Sequence, residues 1–154
     1  MKKLLTILVV MLLPICMFGQ QKTQKMPLPL VKYNENVKLP LTVNERSQII
    51  EVYGEHADKY VFDNPNRLKE VKNILRNRVV IEKHPNKDLS SFKRLSEVPL
   101  VNDYNKNLQY DFGANVENFN PLKYNFNFFS RNGIEYYRID NTQYLITILP
   151  QHTR

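Results

Sequence analysis

Cysteine is nearly missing from this chain of 154 residues: Cys16 stands alone. A lone thiol cannot form an internal disulfide, so even an oxidising compartment would leave the fold to an ordinary hydrophobic core. Once Cys16 is discounted as part of a leader, catalytic thiols and thiolate metal sites are excluded as well. Glycine is also scarce, and Gly19, Gly54, Gly113 and Gly133 are isolated from one another. No glycine-rich phosphate loop and no Gly-x-Ser-x-Gly nucleophile elbow can be drawn, which removes the usual signatures of nucleotide binding and acyl hydrolysis. The three histidines, His56, His84 and His152, are far apart and lack the helical spacing of zinc ligands. No cofactor is expected.

The one long apolar run lies at the beginning. Lys2 and Lys3 precede a mostly aliphatic stretch from Leu4 to Leu13, and Pro14 to Gln20 includes the small residue Gly19. This is the layout of a secretory signal peptide over residues 1–20, and the run is shorter than the roughly 20 residues of a membrane span. Cleavage is expected near Gly19 or Gln20, giving export to the periplasm or outer membrane rather than the medium. Lipidation at Cys16 is disfavoured because the bulky Ile15 precedes it. Losing Lys2 and Lys3 from 22 basic side chains, against 15 acidic ones, leaves a net charge of +5 on the mature chain. A modest positive charge favours anionic surfaces and allows a peripheral membrane association. Export argues against a nucleic-acid partner.

Residues 21–41 form an extended arm, with Pro27, Pro29 and Pro40 fixing φ and removing donors. Its later half carries Val31, Tyr33, Val37 and Leu39 and is expected to pack on the domain as an edge strand. Residues 42–154 are then one domain. The first helix is expected to begin at Thr42 or Asn44: Thr42 and Glu45 have capping-box spacing, and Ile49, Ile50, Tyr53 and Ala57 follow at helical intervals, with Gly54 near the end. Asn64 caps a second helix over Pro65 to Arg78, with Leu68, Val71, Ile74 and Leu75 as its apolar stripe. Its outer face carries Lys69, Lys72 and Arg76, with Arg67 and Arg78 nearby. That face reads either as a ridge for lipid phosphate or an acidic partner, or as a solvated face favoured by the helix dipole. Val79 to Lys83 reads as a strand stopped by His84-Pro85-Asn86.

Residues 87–118 give the weakest pattern. Ser90 to Phe92 suggests a helical turn and Val98 to Val101 an extended edge, and so long an irregular stretch implies a short element within it. From Phe119 to Gln151 the pattern predicts a three-stranded meander. Leu122, Tyr124, Phe126 and Phe128 alternate with Lys123, Asn125 and Asn127; Asn132-Gly133 makes a turn; Ile134 to Ile139 and Gln143 to Leu149 follow as strands. The last of these is apolar on both faces, as in a central or doubly covered strand. The fold class expected is α+β: two N-terminal helices packed on an antiparallel sheet dominated by the C-terminal meander.

Candidate chemistry is thin. Glu55, His56 and Asp58 form the nearest cluster in which carboxylates could raise an imidazole pKa and make a base or a metal ligand. Asp103, Asp111, Glu117, Glu135 and Asp140 lie in the half expected to form the sheet and its loops, and nothing singles out a pair for glycoside chemistry. Aromatic residues crowd the last third of the chain. Most suit a core, while Phe129 and Tyr137 are expected to be exposed and able to stack on sugars or anchor a protein. The expectation is an exported, non-catalytic binding or accessory protein of the bacterial cell envelope. Its partner would be an envelope protein or an anionic envelope polymer, and Lys69, Lys72, Arg76, Phe129 and Tyr137 are its candidate binding residues. The alternative is a small exported hydrolase or carbohydrate-active enzyme using loop carboxylates or His56.

Overall fold

Thr42 begins the first helix through a reciprocal pair of bonds. Its Oγ1 accepts from Glu45 N at 3.1 Å, and Glu45 Oε2 accepts from Thr42 N at 2.8 Å, so two donors left over at the helix start are satisfied together. The structure, a computed structural model, describes residues 31–111, 116–130 and 133–151. The leader, Cys16, the start of the arm, the expected turn at Phe112 and Gly113, Asn132 and His152 lie outside the described residues. No helix among the described residues is long and apolar enough to cross a membrane.

Helix α1 runs Val43–Tyr53 and buries Ile49, Val52 and Tyr53. It ends at Gly54, whose φ of 53° is a backbone conformation open mainly to glycine. Two short turns follow, the second a wide turn over Asp58–Phe62 closed by Asp63 N donating to Asp58 O. Asn64 Oδ1 then accepts from Arg67 N and Pro65 opens α2, Pro65–Asn73. The helical path continues as a wide turn over Ile74–Arg78 before β1, Val79–Lys83. The expected helix to Arg78 is therefore present but loosens in its last five residues.

Strands β2 (Lys93–Arg94), β3 (Glu135–Arg138) and β4 (Tyr144–Ile148) complete a four-stranded sheet in the order β1-β4-β3-β2. The sheet is mixed: β4 pairs antiparallel with both β1 and β3, and β2 pairs parallel with β3. Strand β4 is one of the sheet's two interior strands, in keeping with its two apolar faces. Ile146 and Ile148 join the principal core, while Leu145 is buried outside that cluster. The chain is α+β as expected, and the unplaced element of residues 87–118 is β2 with the turn Leu95–Glu97 after it.

Two expectations are corrected. The stretch from Leu122 to Phe128 does not form the first strand of a meander, although its alternation survives. Pro121 and the side chain of Asn120, which accepts from Leu122 N at 3.1 Å, start a tight turn over Pro121–Lys123. Beyond it only Tyr124 bridges another segment, at Leu100. Phe126 N and Phe128 N instead donate to the carbonyls two residues back, at 2.8 Å each. Local bonding thus uses donors that a ladder would need, yet Leu122, Tyr124, Phe126 and Phe128 are all buried. The arm, for its part, is no edge strand over its described residues. It forms a turn at Glu35–Lys38 and lies along α2.

That seam is polar. Arg76 Nε pairs with Glu45 Oε1 at 2.5 Å, its Nη2 donates to Glu45 Oε2 at 2.6 Å and to Pro40 O at 2.8 Å, and its Nη1 donates to Asn36 O. Lys72 Nζ donates to Leu39 O at 2.7 Å, and the amides of Asn36 and Asn77 bond each other reciprocally. Hydrogen bonds to charged groups contribute about 1.5–3 kcal/mol each. One bidentate arginine therefore fastens arm, α1 and α2 together.

Candidate functional site

Tyr53, at the end of α1, lies where two aromatic groups meet. On one side its ring stacks on Tyr104 with centroids 5.0 Å apart, and Tyr104 in turn touches Tyr60 at 4.9 Å and His56 at 5.7 Å. Tyr60 and Tyr104 are exposed, and Lys59 Nζ lies 5.2 Å from the Tyr60 ring centroid. The loop that presents Tyr104 is pinned to α1 by Asn105 Nδ2 donating to Glu51 O at 2.8 Å. On the other side Tyr53 lines a groove of about 510 Å³ with Arg67, Asn125, Asn127 and Phe129. Arg67 is held there by two acceptors, Tyr53 Oη at 2.8 Å and Glu70 Oε2 at 3.3 Å. Phe129 is 55% exposed, as the alternation predicts.

The floor of the groove is the buried side of residues 122–128. Phe119, Tyr124, Phe126 and Phe128 form successive ring contacts of 5.4, 5.4 and 5.7 Å, and Tyr137 packs on Phe126 at 4.8 Å. Tyr137 is thus half-buried and Tyr136, at 41%, is the more exposed tyrosine of β3. Pairing decides the phase: Tyr137 lies opposite Ile146, which faces the core. Tyr137 Oη also donates to Glu135 at 2.7 Å, and burial followed by that carboxylate pushes its pKa upward.

Beneath the floor lies an ionic cluster that sequence patterning missed. Lys123 occupies a position expected to be wet but is only 3% exposed. Its Nζ pairs with Asp111 Oδ1 at 2.5 Å and Glu51 Oε1 at 3.2 Å. Asn120, fully buried, donates to Gln48 O and Glu51 Oε2, and Tyr124 Oη donates to Asp111 Oδ2 at 3.3 Å while accepting from Asp111 N at 2.8 Å. Burial, with the Asp111 carboxylate adding to it, raises the Tyr124 phenol above its ordinary range. Every polar group in this cluster has a partner inside the protein. It ties the loop to α1, with the Glu51 carboxylate as its exposed edge.

The other candidates are dispersed. Asp140 accepts from Ser96 N and Oγ at 3.0 and 2.8 Å and holds the turn after β2. Asp103 and Glu117 are exposed, and Glu135 serves Tyr137. His56 lies 3.9 Å from Glu55 and takes part in the aromatic patch, and no group of three metal-ligating side chains occurs among the described residues. On α2 and the wide turn after it, Lys72 and Arg76 have their charged ends held by the arm and Glu45, whereas Lys69 Nζ lies over the Tyr33 ring at 4.3 Å. The stripe is thus divided between internal bonds and a cation–π contact. No protein-family model, no curated protein and no solved structure matches the chain.

Proposed function

We propose that this chain is an exported, non-catalytic binding protein of the bacterial cell envelope, and that the groove between Arg67 and Phe129 holds a segment of envelope polysaccharide. The observation carrying this reading is the composition of the groove and its neighbouring patch. The exposed ring of Phe129 and the largely buried ring of Tyr53 line the groove with amide and guanidinium donors (Asn125, Asn127, Arg67), the exposed Tyr104 stacks on Tyr53 next to it, and no carboxylate lines the groove among the described residues. A sugar ring offers an apolar face for stacking and hydroxyls for such donors. Glycoside hydrolysis needs two carboxyl groups about 5–10 Å apart across the bond, and the groove supplies neither. The apolar leader motivates the envelope location, together with a net positive charge suited to anionic polymers.

Titration of the full mature chain with soluble fragments of envelope polysaccharide, followed by calorimetry, tests the reading. Saturable binding that weakens on Phe129→Ala and Tyr104→Ala is expected. Absence of binding, together with recovery of a single protein partner after mild cross-linking of envelopes, would replace the polymer by a protein.

A further inference from the structure

Arg78 is a cation without a carboxylate. It is 4% exposed, its Nε and Nη2 both donate to Leu149 O at 3.0 and 2.7 Å, and it takes part in none of the ion pairs of the described residues. All 15 aspartate and glutamate side chains of the chain lie among those residues, so no acidic side chain elsewhere can be its partner. Burial accordingly holds its pKa below the usual arginine value. A buried charge left with one neutral acceptor is costly unless something else neutralises it. Helix-dipole preference explains basic residues in this turn, and it suffices for Arg76, which has Glu45. It does not explain an arginine taken out of water.

Arg78 lines a polar pocket of about 380 Å³ together with Arg76, Lys32, Asn34, Asn73 and Asn77. Three cations meet there, and only Arg76 has a carboxylate. Among the described residues the pocket therefore carries two positive charges without a carboxylate, and of its amide walls those of Asn34 and Asn73 can donate to oxygen, while Asn77 Nδ2 is taken by Asn36 Oδ1 and Asn73 Oδ1. It shares no lining residue with the aromatic groove, and lies at the opposite end of the helical path from Arg67, about 16 Å along the axis. We infer that this pocket is an anion site for a phosphoryl group, free or carried as a head group, with Arg78 as its buried cation, Lys32 as its outer cation and the amides of Asn34 and Asn73 as additional donors. A phosphoryl group fits because its charge of up to about −2 matches the imbalance and its oxygens can accept from arginine, lysine and amide at once. The arm residues Lys32 and Asn34 form one wall, so occupancy would also fasten the arm to the end of α2.

Inorganic phosphate is the first probe, titrated into the full mature chain at constant ionic strength with chloride as control. A saturable rise of the thermal midpoint with phosphate and none with chloride is expected. Lys32→Glu is exposed and should fold normally while weakening the apparent affinity roughly tenfold or more. Arg78→Met should abolish the response without lowering the midpoint of the phosphate-free protein as much as loss of a paired arginine would. Should that variant fail to fold, Lys32→Glu and Asn73→Ala decide the matter. Vesicles of phosphatidylglycerol separate the sources: binding displaced by free phosphate and lost in Lys32→Glu identifies a lipid head group, and binding of phosphate alone identifies a small molecule. A wild-type midpoint that follows ionic strength only, or a Lys32→Glu protein that responds like the wild type, overturns the assignment.

Discussion

The two aromatic regions of this molecule use the same residue types for opposite purposes. In the run from Phe119 to Phe128 the rings touch one another under the sheet and every member is buried. Around Tyr104 the rings also touch, but Tyr60, Tyr104 and nearby Phe129 remain in contact with solvent. Ring contact alone therefore does not identify core. What separates the regions is the polar framework. The buried run is backed by Lys123, Asp111 and Asn120, whose charges and donors are satisfied internally, whereas the exposed Phe129 lines a groove with Asn125, Asn127 and Arg67, and Tyr104 adjoins that groove through Tyr53.

The widest gap between the regions should appear in stability. Phe126→Ala removes a ring from the core and should lower the unfolding free energy by about 4 kcal/mol in denaturant titration. A loss below about 1 kcal/mol would mean that the run is not core. The next effect is electrostatic. Lys123→Met leaves Asp111 and Glu51 facing each other without their cation, and should cost about 2 kcal/mol, less than for a wholly buried pair because Glu51 is 44% exposed. Asp111→Asn added to that variant should recover part of the loss, which a purely steric effect of methionine would not permit.

Acid sharpens the comparison from the other side of the molecule. The Arg76 hydrogen bonds hold the Glu45 carboxyl below its ordinary value of 4.5. A group with a depressed folded-state pKa contributes stability above its unfolded value, and loses it as pH falls through the folded one. The seam between arm and helices should thus be intact above pH 4.5 and weaken progressively below it. Glu45→Gln should be less stable than the wild type at neutral pH and show a shallower loss of stability below that value, measured by unfolding at a series of pH values. An unchanged acid slope would remove Glu45 from the account. The smallest effect belongs to the exposed patch: Phe129→Ala should change stability by no more than about 0.5 kcal/mol.

Local signals were legible where the chemistry is local. Thr42 with Glu45, and Asn64 with Pro65, place both helix starts correctly because each cap is complete within four residues. The buried set Leu122, Tyr124, Phe126 and Phe128 was also readable, since any extended backbone sends alternate side chains to one side. Its hydrogen bonding was not readable, because Asn120 and Pro121 start a turn whose consequence depends on what lies opposite. Lys123 looked wet for the same reason: its partners Glu51 and Asp111 come from distant parts of the chain. The choice between Tyr136 and Tyr137 rested on pairing with Ile146, again a long-range fact. The helix stripe of Lys69, Lys72 and Arg76 was visible as charge, but its partners in the arm, the Tyr33 ring and the backbone carbonyls of Asn36 and Leu39, are more than 30 residues away in sequence and Glu45 lies a helix away.

The most direct test of the division between buried and exposed rings is one paired measurement on Phe129→Ala and Tyr104→Ala, reading unfolding midpoint and affinity for envelope polysaccharide fragments in the same preparations. The predicted result is an unchanged midpoint with affinity weakened roughly tenfold in each variant. Affinity equal to that of the wild type in both variants would contradict the claim that these exposed rings form the binding surface.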